Sequence, residues 1–255
     1  MKIISYNLNG IRAAIRKGFI DWLKATDADV VCLQEVKADA SQIPPSLFED
    51  MGYYVYWHAA ERKGYSGVAI LTRIKPQTAV LGYESETGLS DPEGRLLRLD
   101  FEDYSVMTVY IPSGSSGGLR QDFKVQWLDQ FYEYIKNLLT YRPRLLISGD
   151  YNICHQAIDI HNPKANARSS GFLPEERAWL TRFMNLGLLD TFRYFNPEPH
   201  HYTWWSTRMD ARDRNLGWRI DYHLLTENLQ ANLKRALILS EAKHSDHCPV
   251  LVEIA

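Results

Sequence analysis

The chain has 255 residues, of which 45% are hydrophobic and 24% are charged, and its formal net charge is −2. These values are typical of a globular protein of one large or two small domains. The charge counts mildly against a nucleic-acid binder, although a basic rim around an acidic site would not change the sum. The three cysteines have no paired spacing, which argues against a disulfide framework or a zinc site. The opening MKIISYNLNG lacks the pattern of a signal peptide, and no apolar run reaches membrane-spanning length. We therefore expect a cytoplasmic protein, nucleoid-associated if prokaryotic.

Short runs rich in Val, Ile, Leu and Tyr predict nine strands, at residues 3–5, 30–33, 53–58, 68–72, 96–101, 106–111, 145–147, 220–225 and 250–254. A helix is predicted over 121–141, where apolar side chains recur on one face and a proline follows the end. A second helix, over 174–186, begins with Pro-Glu-Glu, and 11–24 is a weaker candidate. This order predicts an α/β protein with mixed sheets covered by helices.

Two long polar loops interrupt the predicted elements. The first is PSGSSGGLRQ at 112–121, and the second is HNPKANARSSGFLPEER at 161–177. Loops of this kind either carry function or are merely mobile. The residues that flank these two loops favour function.

Polar side chains stand at the ends or edges of six predicted strands. They include Asn7, Glu35, Asp150 and Asp221, and the last strand follows Asp246 and His247. Any one of them alone would be an ordinary turn residue or a satisfied surface or core histidine. Together they predict one cleft, because loops at strand ends converge. Glu35, Asp150 and Asp246 in one cleft need a cation between them, and oxygen ligands favour magnesium or manganese. The pattern therefore predicts metal-assisted phosphoester hydrolysis.

Seven motifs carry a resemblance over nearly the whole chain. They are SYNLNGIRA, LQEVK, GYSGVAILTR, GDYNICH, NPKANARSSGFLPEER, GWRIDYHLL and SDHCPV. In order and spacing they are similar to the exonuclease III class of abasic-site endonucleases, within the endonuclease/exonuclease/phosphatase superfamily. The resemblance implies a four-layer sandwich, with two packed mixed β-sheets flanked by helices, as a single domain over residues 1–255. It also implies a monomer that acts on double-stranded DNA with abasic sites and does not bind membranes.

The activity that the resemblance implies is cleavage of the phosphodiester 5′ to an abasic site, giving 3′-OH and 5′-deoxyribose phosphate ends. Trimming of 3′ blocking groups and 3′–5′ exonuclease activity would accompany it. The implied cofactor is Mg²⁺, with Mn²⁺ as a substitute. The side chains implied around the metal are Glu35 as principal ligand, Asn7, Asp150, Asn152, Asp246 and His247. Asn7, Asn9 and Asp246 would sit there directly or through water, and Asn9 stands where some relatives have an aspartate.

The resemblance also implies catalytic roles. Asp150, with Asn152 beside it, would deprotonate or orient the attacking water. His247 would hold a phosphate oxygen, and Asp221 would hold His247. Tyr110 would contact the same phosphate or help the leaving oxygen depart. The alternative for Tyr110 is a β-favouring aromatic residue at a strand end.

The DNA contacts implied by the resemblance fall into two groups. The phosphate and backbone contacts would be Lys37, Lys63, Arg73, Arg120, Tyr65 and Asn166, with Ser169 where some relatives have asparagine. Trp204, Trp218 and Ile220 match an apolar pocket that receives a flipped, base-less sugar, and the alternative for the tryptophans is core packing. Arg208 would intercalate or bind phosphate. The 112–121 loop carries small residues where relatives have larger ones, so any wedge from it would be small.

Two other functions remain open from the sequence. A lipid or inositol phosphate phosphodiesterase would keep Glu35, Asp150, Asp221 and His247, but it would lack SGFLPEER and the tryptophan pocket. A non-catalytic binding module would be expected to have lost the metal acid or the histidine.

Overall fold

The structure is a computed structural model that describes residues 1–255. Its fourteen strands, in chain order, are β1 (Lys2–Asn7), β2 (Val30–Gln34), β3 (Tyr54–His58), β4 (Val68–Thr72), β5 (Thr78–Leu81), β6 (Leu96–Asp100), β7 (Ser105–Tyr110), β8 (Leu145–Asp150), β9 (Leu188–Asp190), β10 (Trp204–Trp205), β11 (Gly217–Trp218), β12 (Asp221–Thr226), β13 (Leu233–Ile238) and β14 (Val250–Ile254). The α-helices are α1 (Ile11–Arg16), α2 (Phe19–Thr26), α3 (Ser46–Glu49), α4 (Gly118–Leu138), α5 (Pro174–Met184) and α6 (Thr191–Phe195). None of the helices combines the length and apolar character needed to cross a bilayer.

Two six-stranded mixed sheets form the centre of the molecule, in the orders β13-β14-β1-β2-β4-β3 and β5-β6-β7-β8-β12-β9. Side chains alternate between the faces of each strand. Ile3 and Val30 therefore meet Leu97 and Val106 between the sheets. The next residues along β1 and β2 face outward, where a second cluster packs with α1, α2 and α3. A third cluster packs α4 and α5 on the other sheet. The result is the four-layer α/β sandwich that the resemblance implied.

The strand directions bring the polar strand ends to one edge. β1 and β2 are parallel, with Asn7 opposite Gln34, and β7 and β8 are parallel, with Tyr110 opposite Asp150. β12 runs antiparallel to β8, so it begins at the same edge, where Asp221 lies opposite Asp150. β14 is antiparallel to β1 and also begins there. Because the sheets pack face to face, both edges open into one cleft.

The structure corrects several predicted elements. The predicted helix 11–24 is two helices, because the chain turns at Gly18, whose φ of 91° is in the left-handed region. β5, β9 and β13 were not predicted from the sequence. They are edge strands, and β13 reads Leu-Lys-Arg-Ala-Leu-Ile with its exposed face in solvent, so it has neither a continuous apolar run nor clean alternation. Helix α4 begins three residues earlier than predicted and ends at Leu138.

Candidate active site

Three titratable side chains meet at the shared edge of the two sheets. Glu35, Asp150 and His247 each offer one ligand atom, and these atoms lie within 4.8 Å of one another. Glu35 follows β2 directly, with a left-handed φ of 47° that turns its side chain out of the strand path. Asp150 ends β8, and His247 precedes β14. The two sheets thus supply one carboxylate each.

Asn7 links the two carboxylates. Its Nδ2 donates to Glu35 Oε1 at 3.0 Å and to Asp150 Oδ2 at 2.8 Å. Its Oδ1 accepts from the backbone N–H of Asn9 at 3.0 Å. The amide oxygen is the atom that could ligate a metal, and it faces the backbone here. The structure therefore places Asn7 as a donor that orients the two acids. Its place around the metal, directly or through water, stays a prediction.

His247 is oriented by Asp221. The imidazole Nδ1 lies 2.9 Å from Asp221 Oδ2, and Nε2 lies 3.9 Å from Asp150 Oδ2. Burial lowers the pKa of His247, but the Asp221 carboxylate outweighs burial and raises it to about 10. Burial, and then the charge of Asp221, raises the pKa of Asp150 to about 7. A protonated His247 can donate from Nε2 to a phosphate oxygen. Its place around the metal stays a prediction.

Glu35 remains an anion in this surrounding. Burial raises the pKa of its carboxyl, but Lys37, whose Nζ lies 2.8 Å from Glu35 Oε2, and Asn7 outweigh burial and lower it. Two carboxylates, Glu35 and Asp150, are the oxygen donors that a hard divalent cation prefers. The residues present therefore fit such a metal.

Asn152 lies at the turn after β8 with a left-handed φ of 50°. Its backbone N–H donates to Asp150 Oδ1 at 2.8 Å, and its Nδ2 donates to the carbonyl of Ile111 at 2.9 Å. These contacts hold the turn against β7 and fix the direction of the Asp150 carboxylate. Asn152 itself lines the cleft.

Asp246 lies at the rim and is fully engaged. Asn9 Nδ2 donates to Oδ1 at 3.0 Å, and the indole N–H of Trp204 donates to Oδ2 at 3.0 Å. Burial raises its pKa, but His247 and these donors outweigh burial and lower it. Asp246 lines the same cleft as Glu35 and Asp150, as the sequence predicted. The third group of the compact cluster is nevertheless His247, and Asp246 stands outside it.

Tyr110 ends β7 and lines the cleft. The Arg95 guanidinium lies 4.6 Å from the centre of its ring, and Arg95 Nη1 donates to the Tyr110 carbonyl at 2.8 Å. Burial, followed by the charge of Glu35, raises the pKa of Tyr110 well above its ordinary value. The hydroxyl therefore stays protonated at neutral pH and can donate to a phosphate or a leaving oxygen.

The cleft has a volume of about 580 Å³ and two unlike walls. One wall is apolar and consists of Trp204, Trp218 and Ile220, with the indoles edge to face at 6.0 Å between ring centres. Both indoles are half-buried, so they are cleft residues and not fully enclosed core residues. The other wall carries only small side chains, from Ser113, Gly114, Ser115, Gly117, Ser169, Ser170 and Gly171.

The predicted DNA-contacting side chains differ in their surroundings, since some are held by other residues of the chain and others are exposed. Tyr65 accepts from Arg120 at 2.7 Å and from Arg95 at 3.3 Å, and Arg120 also pairs with Glu93. Asn166 donates within its own loop, to the carbonyl of His161. Arg208, like Lys63, is exposed and does not line the cleft.

The structure places Arg73 away from the cleft. It follows Thr72, which pairs with Val30 at the start of β2, whereas the cleft lies at the other end of that strand. Its guanidinium pairs with Asp27 and lies over the ring of Tyr53 at 5.0 Å. Arg73 therefore lies at the edge of the sheet opposite the cleft.

Sequence reasoning missed Arg95 and the pair Lys124 and Glu176 behind the cleft. The position of Lys124 in the sequence indicated that it has a buried partner. It lies four and seven residues before Leu128 and Phe131, on the apolar face of the long helix, where a charge is expected only with a partner.

Comparison with known proteins adds relatives over the whole chain. The Endonuclease/Exonuclease/phosphatase family matches residues 4–247. An exodeoxyribonuclease of Bacillus subtilis is 43% identical, with 98% of both chains covered. The DNA repair nuclease APEX1 of Danio rerio is 38% identical, with 100% of this chain and 82% of the relative covered.

Solved structures agree with this relationship. A 3′ phosphatase, NExo, from Neisseria bound to a product DNA hairpin superposes with a TM-score of 0.92 at 30% identity, over 100% of this chain and 99% of the other. An AP endonuclease from Archaeoglobus fulgidus gives a TM-score of 0.90 at 29% identity with the same coverage.

Proposed function

Because this chain belongs to the endonuclease/exonuclease/phosphatase family, we propose that it cleaves the phosphodiester 5′ to abasic sites in duplex DNA. The products would be a 3′-OH and a 5′-deoxyribose phosphate, and the same site would trim 3′ ends. Relatives along the full chain are exodeoxyribonucleases and AP endonucleases. This chain is therefore a hydrolytic nuclease of DNA repair. Those relatives favour DNA over a lipid or inositol phosphate substrate.

The observation that carries the proposal is the meeting of Glu35, Asp150 and His247 beside an apolar wall. The three groups suit hydrolysis of a phosphodiester, and the wall suits an uncharged sugar face. A base-less sugar fits such a wall, and an abasic nucleotide also costs least to extrude from the duplex.

The family is metal-dependent, and we propose Mg²⁺ as the ion, replaceable by Mn²⁺. Glu35 and Asp150 would hold it, and when bound it would neutralise phosphate charge and assist the nucleophile. Asn7 keeps both acids in place through its two donated hydrogen bonds. Asp246, in this proposal, shapes the rim beside the metal through Asn9 and Trp204.

The remaining steps belong to this chain's own side chains. Asp150 orients or deprotonates the attacking water, and the hydrogen bonds from Asn7 and from the N–H of Asn152 fix the direction of its carboxylate. His247, held by Asp221, donates from Nε2 to a non-bridging oxygen as negative charge builds up. Tyr110 donates to the same phosphate or to the departing oxygen. Every one of these groups comes from one chain, so we propose that a monomer is active.

The test is a cleavage assay on two matched duplexes, one with a tetrahydrofuran abasic analogue and one intact, across a Mg²⁺ titration. We expect strand cleavage 5′ to the lesion that rises with Mg²⁺ or Mn²⁺, with a much slower reaction on the intact duplex. Equal rates on both duplexes would refute abasic specificity. Full activity in a chelator would refute the metal.

A further inference from the structure

A buried ion pair lies behind the cleft, and the reaction as described above does not use it. Lys124 on α4 and Glu176 on α5 meet at 2.7 Å, and both side chains are 0% exposed. Burying two charges costs several kcal/mol for each ion, and attraction between them offsets this only with good geometry and further hydrogen bonds. Apolar side chains would join two helices at lower cost, so the other contacts of this pair indicate what it does.

The Lys124 end of the pair reaches the turn after β8 at Asn152, which we call the catalytic turn. Its Nζ donates to the carbonyl oxygen of Asn152 at 2.8 Å. The N–H of the same residue donates to Asp150 Oδ1. Asn152 has a left-handed φ of 50°, a conformation that persists only when its surroundings hold it. Lys124 and Asp150 therefore hold this peptide segment from opposite ends, and Lys124 fixes the direction of the Asp150 carboxylate through it.

The Glu176 end reaches the wall of the cleft. Its Oε2 accepts from the N–H of Gly171 at 2.6 Å and from that of Leu173 at 3.1 Å. Gly171 has a φ of 92°, and a Cβ there would lie 3.1 Å from both the Asn152 carbonyl and the Trp218 ring. Gly171 thus fills the narrow space between the catalytic turn and the apolar wall. Its position depends on the Glu176 carboxylate.

The second oxygen of Glu176 extends this network, through Gln121, to the loop at 113–117. Oε1 accepts from Gln121 Nε2 at 3.1 Å, and Ser170 Oγ donates to Gln121 Oε1 at 2.8 Å. A Cβ on Gly114 would overlap Gln121 Oε1 and lie 2.5 Å from Ser170 Oγ. The loops at 113–117 and 169–171 are therefore packed on the same buried group.

We propose that Lys124 and Glu176 are positioning residues that set the distance between the catalytic turn at Asn152 and the sugar-binding wall at Trp218. Neither touches the substrate. The pair acts through Asn152 on the Asp150 carboxylate, and through Gly171 on the Trp218 indole. This inference rests on the proposed function, because it assigns the pair to the chemistry and specificity of that same site.

The test separates positioning from stability by removing both charges at once. Lys124→Met or Glu176→Gln alone leaves an unpaired buried charge, so each should unfold at a markedly lower temperature. The double variant Lys124→Met/Glu176→Gln keeps an acceptor for Gly171 and removes both charges. We expect its Tm to return to within about 3 °C of the native value. Its kcat on the tetrahydrofuran duplex should stay about 10-fold to 100-fold low, because nothing donates to the Asn152 carbonyl.

A second readout is the ratio of kcat/KM between lesion and intact duplex, which should also fall in the double variant as the Trp218 wall loses its spacing. The matched control is Arg98→Met/Asp100→Asn, which removes a buried pair at the far end of β6. This control should lower Tm, because Glu84 loses its partner Arg98, and it should leave kcat unchanged. Recovery of native kcat together with native Tm in the double variant would overturn the proposal.

The 3′–5′ exonuclease rate is measured in parallel for every variant. Native protein that degrades 3′ ends but ignores the lesion would refute the proposed substrate, and the exonuclease kcat would still report on the pair. A double variant with native exonuclease kcat would then refute positioning, and a reduced kcat at native Tm would support it.

Discussion

Asp150 and Asp221 lie directly opposite each other on the antiparallel strands β8 and β12. Two buried carboxylates this near would repel each other without a positive charge beside them. His247 supplies it, with Nδ1 2.9 Å from Asp221 and Nε2 3.9 Å from Asp150. Asp221 therefore keeps His247 protonated, while Asp150 keeps a raised pKa of about 7.

Replacing Asp221 with asparagine should move the alkaline limb of the kcat profile to lower pH. The native pKa of His247 is raised to about 10, so the donor is present below that pH and is lost as pH rises through it. Without Asp221, the lowering of the His247 pKa by burial is opposed only by Asp150 and Asp246, so the imidazole loses its proton at a lower pH than in the native protein. The expected loss at pH 8 is about 100-fold or more. The measurement is kcat from pH 6 to 10.5, with the exposed Asp103→Asn as control. An unmoved alkaline limb would assign the titration to another group.

His247→Ala should lower kcat by about 1,000-fold while the Kd for lesion DNA changes little. The reason is that Nε2 is placed to meet charge that develops only during the reaction. Single-turnover rates and a binding assay in Ca²⁺ give the two quantities. His200→Ala, an exposed histidine, is the control. Equal losses in rate and binding would mean that His247 positions the substrate instead.

Glu35→Ala should abolish metal-dependent cleavage and leave the fold intact. It removes one of the two carboxylates that would hold the ion and leaves Lys37 without its partner. Titration calorimetry with Mn²⁺ should show metal affinity reduced by about 10-fold or more. Glu133→Ala, on the exposed face of α4, should bind metal as the native protein does. Unchanged affinity in Glu35→Ala would place the ion elsewhere.

Trp218→Ala should weaken the preference for abasic over intact duplex by about 10-fold or more, because it opens the apolar wall to a whole nucleotide. The ratio of kcat/KM on the two duplexes is the readout. Trp22→Ala changes an indole on α2, on the outer side of the sheet that contains β1 and β2, and should keep the native ratio. A native ratio in Trp218→Ala would move the sugar pocket away from this wall.

Arg73→Ala should not affect DNA binding, whereas Arg120→Ala should. Arg73 pairs with Asp27 at the opposite edge of the sheet, and Arg120 lies beside Tyr65 and Glu93 near the cleft. We expect Arg120→Ala to reduce the slope of log Kd against log salt by about 1. Fluorescence anisotropy between 50 and 200 mM salt, roughly the range over which phosphate contacts are lost, provides the slope. A changed slope in Arg73→Ala would show that DNA reaches the far edge.

Local sequence patterns predicted many of the strands and the position of the cleft. Runs rich in Val, Ile and Leu predicted β4 and β14 with their observed limits, and polar residues at strand ends predicted a shared cleft. The edge strand β13 was missed because half of its residues face solvent. The helix at 11–24 was predicted as continuous because a single glycine does not by itself show where a chain turns.

The sequence by itself determined mixed sheets covered by helices and the polar strand ends, and its motifs carried the resemblance that implied the family and the four layers. Apolar runs and motif spacing are local properties of the chain. Only the tertiary structure decided that His247, and not Asp246, completes the group with Glu35 and Asp150, that Arg73 faces away from the cleft, and that Lys124 meets Glu176. These outcomes depend on strand register and on how two sheets and two helices pack, and no local pattern encodes a distance between residues that are far apart in the chain.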